Sequence, residues 1–135
     1  MIKKIHHIGI VVKSMDDTVK VYSKVLGKKP DSLNEIPGAK IKIAAFKIGE
    51  TALEFLEGPS GSPLADFIGN RGEGLHHIAV EVDDIAGELK KLAAAGVTLR
   101  DKEPRQGPEG KIAFVGPEGA HGVTFELVQP EKKGK

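Results

Sequence analysis

The chain has 135 residues, of which 39% are hydrophobic and 29% are charged, and its formal net charge is +1. This composition predicts one ordinary globular domain that buries most of its apolar surface without covalent cross-links. The near-zero net charge argues against nucleic-acid binding, which would require a strong basic excess. The chain has no cysteine, which excludes disulfides and thiolate metal sites.

Membrane and secretion signals are also missing from the sequence. No apolar run approaches the roughly 18 residues that a membrane-spanning helix needs. Residues 1–5 lead directly into a strand pattern, without the apolar stretch of a signal peptide. We therefore expect a cytoplasmic protein that binds neither nucleic acid nor membrane.

The chain opens with a strand pattern followed by a helix pattern. Residues 5–12 form a continuous β-branched run, as in a buried strand. Side-chain alternation puts His7 on the same face as Gly9, which has no side chain to crowd a ligand. Ser14 is a plausible helix N-cap, and apolar residues then recur at three- and four-residue steps until Gly27.

Three further segments complete the first half. Residues 28–38 are polar and contain two prolines, so they predict a loop or a frayed edge. Residues 40–46 alternate charged and apolar side chains, which predicts a strand with one solvated face. After a hairpin turn at residues 49–50, residues 51–56 predict the return strand, which carries Glu54.

The second half follows the same order after a turn-rich segment. Residues 58–74 are rich in glycine and proline and predict a linker, with a short helical turn at residues 64–68. Residues 75–82 predict a strand, and Asp83 or Asp84 caps the next helix. Residues 97–100 are predicted as a short strand and residues 104–110 as a loop. Residues 111–115 are predicted as a strand and residues 123–128 as the closing strand.

The two halves share sequence as well as order. The paired histidines of residues 5–10 recur in residues 75–80, at an offset of 70 residues (77 − 7). The lone glutamate of residues 53–56 recurs in residues 125–128, at an offset of 72 (126 − 54). Each half therefore begins with a histidine on a strand and closes with a glutamate on a strand, which indicates an internal duplication.

The duplication predicts an α+β fold of two tandem βαβββ modules around a shared cleft. We expect a single domain over residues 1–130. Its first module covers about residues 1–57, its linker residues 58–74 and its second module about residues 75–130. The charged end of the chain, residues 131–135, is predicted to be a disordered tail.

The repeated residues predict a metal site. A carboxylate inside an apolar strand is costly unless it is paired or binds a metal. For either glutamate alone, a side chain that points to solvent is an equal alternative, and His7 alone is more simply explained as a core histidine. Duplication pairs His7 with His77 and Glu54 with Glu126. Two imidazoles and two carboxylates suit Co²⁺, Zn²⁺, Ni²⁺ or Mn²⁺.

The neighbouring histidines have a different predicted position. His6 and His76 each precede a predicted ligand by one residue. Side-chain alternation turns them to the opposite face of their strands. They are therefore not predicted as ligands, although a contact to a ligand side chain stays open.

The motifs around these residues resemble the metal-binding pattern of the vicinal oxygen chelate superfamily, from Ile5 to Gln129. Within that superfamily the chain resembles the methylmalonyl-CoA epimerases most. The similarity is greatest in residues 58–67, residues 71–77 and residues 102–114. This resemblance implies a homodimer that acts on a small acyl-CoA substrate.

The resemblance also implies a reaction. Epimerisation removes the proton alpha to the thioester and returns a proton to the other face of C2, and a divalent ion would stabilise the enolate as a Lewis acid. In the family the glutamate of the last strand is both a metal ligand and a possible proton carrier, which makes Glu126 the predicted catalytic residue. Arg105 and Lys111 are candidates for contacts with the CoA phosphates, or are solvated surface charges.

The sequence departs from part of this family at one point. Some of the epimerases that this chain resembles have a second glutamate on the strand that follows the loop of the first module. The corresponding residues 38–44 carry no carboxylate. Glu35 could replace it only if the loop folds over the site. Otherwise the second proton relay is a metal-bound water or a lysine, or is absent.

Two other functions stay open for this architecture. A lactoylglutathione lyase also isomerises its substrate on a metal and would use the same four ligands. A binding protein that sequesters antibiotics is the alternative from another class, but such proteins typically lose the metal ligands and line the cleft with aromatics. The chain keeps all four candidates and is 4% aromatic. A ring-cleaving dioxygenase is disfavoured because the fourth protein ligand would crowd its iron.

Overall fold

The computed structural model describes residues 1–131 of the chain, and it confirms the predicted α+β class with two βαβββ modules. The predicted tail lies outside the described residues except for Glu131. In chain order the elements are β1 (Ile2–Val11), α1 (Met15–Leu26), β2 (Ser32–Ile36), β3 (Ile41–Ile48), β4 (Thr51–Glu57), α2 (Pro63–Arg71), β5 (Gly74–Val82), α3 (Ile85–Ala94), β6 (Arg105–Gly107), β7 (Gly110–Phe114) and β8 (Phe125–Pro130).

The chain forms two compact units. The first unit is residues 7–76, and the second unit is residues 1–6 together with residues 77 onward. The chain therefore passes from one unit to the other inside β1, between His6 and His7. It passes back inside β5, between His76 and His77. Both crossings fall within the repeated histidine pairs.

The first unit contains a mixed sheet in the order β2-β3-β4-β1. β1 pairs in parallel with β4, while β3 is antiparallel to both of its neighbours. As predicted, Ser14 Oγ accepts a hydrogen bond from the Asp17 N–H, 3.2 Å away, and α1 ends at Gly27 with a left-handed φ of 68°. The apolar stripe of α1 packs against a buried cluster that includes Phe46 and Phe55.

The second unit repeats this arrangement with the order β5-β8-β7-β6. β5 pairs in parallel with β8, and β7 is antiparallel to β8 and to β6. The cap of α3 is Asp84, whose Oδ1 accepts from the Gly87 N–H at 3.1 Å. Ile85 and Leu89 of α3 are almost fully buried against the sheet. The parallel pairing fixes the strand that carries the histidine beside the strand that carries the glutamate in both units.

The structure decides one strand prediction and corrects another. Ser32–Ile36, within the segment predicted as a loop or a frayed edge, is an edge strand that pairs with β3. Its polar composition is tolerated because it lies at the edge of the sheet, where Asn34 and Glu35 are exposed. Residues 97–100 were predicted as a strand but form none; Val97 and Leu99 pack against the core instead. Arg105–Gly107, in the predicted loop 104–110, is the strand.

Helix α2 is longer than predicted and begins where its sequence allows. Ser62 Oγ caps it by accepting from the Ala65 N–H at 3.3 Å, and Pro63 occupies the first turn, where no amide donor is needed. It spans nine residues, whereas the sequence predicted a turn at residues 64–68. Among the described residues no helix has both the length and the apolar character to cross a membrane.

Candidate metal centre

In the first unit, His7 and Glu54 face each other from neighbouring parallel strands. His7 Nδ1 lies 3.7 Å from Glu54 Oε2. Both residues are buried, with exposed fractions of 2% and 6%. The alternative in which Glu54 points to solvent is therefore wrong. Two polar side chains at this depth require partners, because an unpaired buried charge is costly.

In the second unit, His77 and Glu126 form the equivalent pair. His77 Nε2 lies 3.3 Å from Glu126 Oε1. Their exposed fractions are 8% and 5%. Glu126 is therefore also buried, as the duplication predicts. Each unit by itself brings one imidazole and one carboxylate together in its interior.

The register explains why both pairs form. In the first unit, Gly9 lies opposite Glu54, and in the second unit Ala79 lies opposite Glu126. Each of these small residues follows the histidine by two positions and therefore shares its face of the strand. Gly9 has no side chain and Ala79 has only a methyl group, so neither strand places a large side chain on the face that carries the imidazole and the carboxylate.

Each glutamate strand is also attached to a helix N-terminus. Glu57 Oε1 accepts from the Met15 N–H of α1 at 2.6 Å, and Gln129 Oε1 accepts from the Ile85 N–H of α3 at 2.9 Å. Both acceptors lie three residues beyond the buried glutamate of their unit. The free N–H groups of a helix N-terminus need such acceptors. Sequence reasoning missed these two residues, although the repeat offset of 72 (129 − 57) relates them.

The electrostatic environment of Glu126 is unfavourable for a bare carboxylate. Burial, the largest cause, and the nearby Glu109 carboxylate together raise the pKa of Glu126 to about 8, against the opposite effect of the Arg105 guanidinium. Without a cation beside it, the carboxyl group therefore favours its protonated form near neutral pH. A cation beside this carboxyl group would remove the cause of the raised pKa.

The donor set fits a divalent transition metal. Imidazole nitrogen and carboxylate oxygen suit Zn²⁺, Co²⁺, Ni²⁺ and Mn²⁺, and no thiolate is available to select a softer ion. The histidines and glutamates of both pairs belong to the groups of the described chain that could hold a metal ion. Their burial keeps water from competing for the ligand atoms.

The other predicted contact residues differ in how they are held. His6 Nδ1 lies 3.8 Å from Glu109 Oε2, and the ring of His76 packs edge-on against Phe67 with centroids 4.9 Å apart. Lys111 is exposed on β7. Glu35, proposed as a replacement carboxylate, is exposed on the edge strand β2.

The surroundings of the second pair combine Arg105, the sequence candidate for a CoA phosphate contact, with Asp101 and Phe114, which sequence reasoning did not single out. The rings of His77 and Phe114 are nearly perpendicular, with centroids 6.3 Å apart. The guanidinium of Arg105 lies 5.3 Å from the centroid of the Phe114 ring. Asp101 Oδ2 accepts from the Phe114 N–H at 2.8 Å. Asp101 and Phe114 lie far apart in sequence from His77, so no local pattern relates the three.

Comparison with known proteins places the chain in one superfamily. The family model described as the Glyoxalase/Bleomycin resistance protein/Dioxygenase superfamily matches residues 4–127. YqjC of Bacillus subtilis, an uncharacterized protein, is 37% identical over 95% of this chain and 93% of its own length. Ethylmalonyl-CoA/methylmalonyl-CoA epimerase of Cereibacter sphaeroides is 31% identical over 96% of this chain and 99% of its own.

Solved structures give the same result. The structure of a methylmalonyl-CoA epimerase in complex with methylmalonyl-CoA and NH4⁺ superposes with a TM-score of 0.86. It is 30% identical in sequence, and the match covers 96% of this chain and 96% of that one. The resemblance found in the motifs is thereby confirmed by full-length similarity.

Proposed function

We propose a function from the premise that this chain belongs to the Glyoxalase/Bleomycin resistance protein/Dioxygenase superfamily. The chain is an epimerase that interconverts the two C2 epimers of methylmalonyl-CoA. The observation that carries the proposal is the buried histidine–glutamate pair that occurs once in each unit. Relatives about 30% identical along their whole length that are named methylmalonyl-CoA epimerases support the choice of substrate.

We propose that the two pairs act together as the ligands of one divalent ion: His7, Glu54, His77 and Glu126. Two ligands from one unit are too few for tight binding of a transition metal, whose protein sites usually supply three or four. Co²⁺ or Zn²⁺ is the first choice, followed by Ni²⁺ or Mn²⁺. When bound, the ion supplies positive charge that stabilises the negative charge developing on the thioester oxygen.

Glu126 is the proposed catalytic residue. The bond between C2 and its hydrogen breaks, the proton moves to the Glu126 carboxylate, and the electron pair moves onto the thioester as an enolate. A proton then returns to the opposite face of C2. Glu126 suits the first step because its burial strips water from the carboxylate, which strengthens it as a base. β3 contributes no carboxylate, so another group returns the proton.

The proposal is tested by following one epimer of methylmalonyl-CoA with metal-loaded protein and with protein stripped by a chelator. Conversion to the other epimer only in the loaded sample supports the function. If the loaded protein leaves methylmalonyl-CoA unchanged but converts the glutathione hemithioacetal, the lactoylglutathione lyase alternative is correct. The homodimer and the cytoplasmic location stay predictions.

A further inference from the structure

Arg105 is held in a fixed position in the second unit. Its Nε lies 3.4 Å from Asp101 Oδ2, and its guanidinium lies over the Phe114 ring at 5.3 Å from the centroid. Asp101 also accepts from the Phe114 N–H at 2.8 Å, and its own N–H donates to the Phe114 carbonyl at 2.9 Å. One carboxylate thus fixes both the strand beneath the guanidinium and the guanidinium itself.

The Phe114 ring beneath Arg105 is adjacent to the buried His77–Glu126 pair of the same unit. Phe114 lies opposite Glu126 in the register of β7 and β8, and its ring meets the ring of His77 at 6.3 Å between centroids. Arg105 therefore stands on the reacting side of the unit.

The guanidinium retains binding capacity. The contact with Asp101 uses Nε, and 58% of the side chain is exposed. The two terminal NH₂ groups point their donors in a planar fork, which matches the two oxygens of a carboxylate. The Asp101 carboxylate lies beside the guanidinium, so an anionic ligand at this position would need Arg105 as its cation.

We propose that Arg105 binds the free carboxylate of the acyl group and so selects malonyl-type thioesters over simple acyl thioesters. This inference rests on the proposed function and deepens it. A contact with the CoA phosphates is disfavoured, because the pantetheine arm separates them from C2, whereas Arg105 lies beside the pair proposed to act at C2. The carboxylate is attached directly to C2 and is therefore within the same neighbourhood.

Binding of malonyl-CoA and acetyl-CoA tests the proposal without any net reaction, because malonyl-CoA has no stereocentre. Dissociation constants are measured by calorimetry with the metal-loaded full chain. The native protein is expected to prefer malonyl-CoA at least tenfold. Arg105→Gln should weaken malonyl-CoA binding by about 10- to 100-fold, the range for a lost charge-assisted bidentate pair, and leave acetyl-CoA within about twofold.

Two further variants make the result specific. Arg105→Lys keeps the charge without the fork and should lose only part of the preference. Arg100→Gln removes an exposed arginine five residues away and should change neither constant. Thermal melting confirms that each variant is folded; should Arg105→Gln not fold, Arg105→Lys decides the outcome.

The outcomes separate this inference from the proposed function. If Arg105→Gln weakens the binding of both thioesters equally, Arg105 contacts the CoA moiety and the inference is overturned. An unchanged preference would overturn it as well. If the native protein binds neither thioester, the proposed function itself is wrong, and the inference falls with it.

Discussion

At the scale of one residue, Glu126 shows why the folded protein would favour a bound cation. The carboxyl group lies in an apolar strand between Phe125 and Leu127, and burial raises its pKa to about 8. A raised pKa means that the folded, metal-free protein prefers the protonated form. The same carboxyl group would be stabilised in its charged form by a divalent ion. The metal and the proton therefore compete for one residue.

The raised pKa of Glu126 predicts that the stability of the metal-free protein depends on pH. The pKa of Glu126 rises from an ordinary value of 4.5 to about 8 on folding, so between these values the folded state binds more protons than the unfolded state. The contribution of Glu126 to stability is thus most favourable below pH 4.5 and falls by up to about 1.4 kcal/mol per pH unit as the pH rises towards 8. Urea unfolding at several pH values measures this slope.

The matched variants for this measurement are Glu126→Gln and Glu103→Gln. Glutamine at position 126 removes the titration and should flatten the slope, whereas Glu103 is exposed and its substitution should leave the slope as in the native protein. Identical slopes in all three proteins would show that Glu126 titrates normally.

At the scale of elements, the glutamate strands are tied to the helices that follow the histidine strands. Glu57 accepts a hydrogen bond from the Met15 N–H of α1, and Gln129 accepts one from the Ile85 N–H of α3. Each acceptor lies three residues beyond a proposed ligand. A strand that slid along its neighbour would break this bond before it displaced the ligand. We therefore interpret Glu57 and Gln129 as positioning residues that fix the register between histidine and glutamate.

Substitution of Glu57 tests this interpretation. Glu57→Leu leaves the Met15 N–H without its acceptor, which should cost about 1–3 kcal/mol of folding free energy and weaken Co²⁺ binding with a changed Co²⁺ absorption spectrum. Glu57→Gln retains an acceptor oxygen and should restore both affinity and spectrum. If Glu57→Leu loses stability but keeps the native spectrum and affinity, Glu57 supports the helix only.

The elements also show what sequence patterns could and could not predict. The strands at both histidines and both glutamates follow from continuous apolar runs, and α1 and α3 follow from their caps and stripes. For residues 28–38 the sequence left a loop and a frayed edge open, because edge position, not composition, decides whether β2 pairs. The strand prediction for residues 97–100 was wrong because Val97 and Leu99 are apolar for another reason. Their side chains pack against the core, and the segment does not pair with a neighbouring strand.

For the molecule as a whole, the internal repeat was the most informative pattern. It singled out the two histidines and the two glutamates as equivalent positions, and the structure brings one histidine and one glutamate together in each unit. It could not predict Glu109 or the Asp101–Arg105–Phe114 group, which occurs in the second unit and rests on contacts between segments distant in sequence. Duplication preserves the scaffold, whereas the surroundings of each pair diverge.

The proposal that both units serve one ion makes a stoichiometric prediction. Metal titration followed by calorimetry should give one ion per chain. Glu54→Gln should abolish tight binding even though the His77–Glu126 pair in the other unit is intact, and Glu126→Gln should do the same. Two ions per chain, or a loss of only half the binding in each variant, would mean that each pair is a separate site.

The most direct test of the whole account is exchange at C2 of methylmalonyl-CoA in D₂O. With metal-loaded native protein, we expect deuterium to enter C2 during epimerisation, and Glu126→Gln should lose this exchange while remaining folded by thermal melting. That result would establish alpha-proton chemistry that requires Glu126, as the base or as a ligand of the metal. Absence of deuterium at C2 with a fully loaded native protein, or undiminished exchange in Glu126→Gln, would contradict the proposed chemistry or the role of Glu126, respectively.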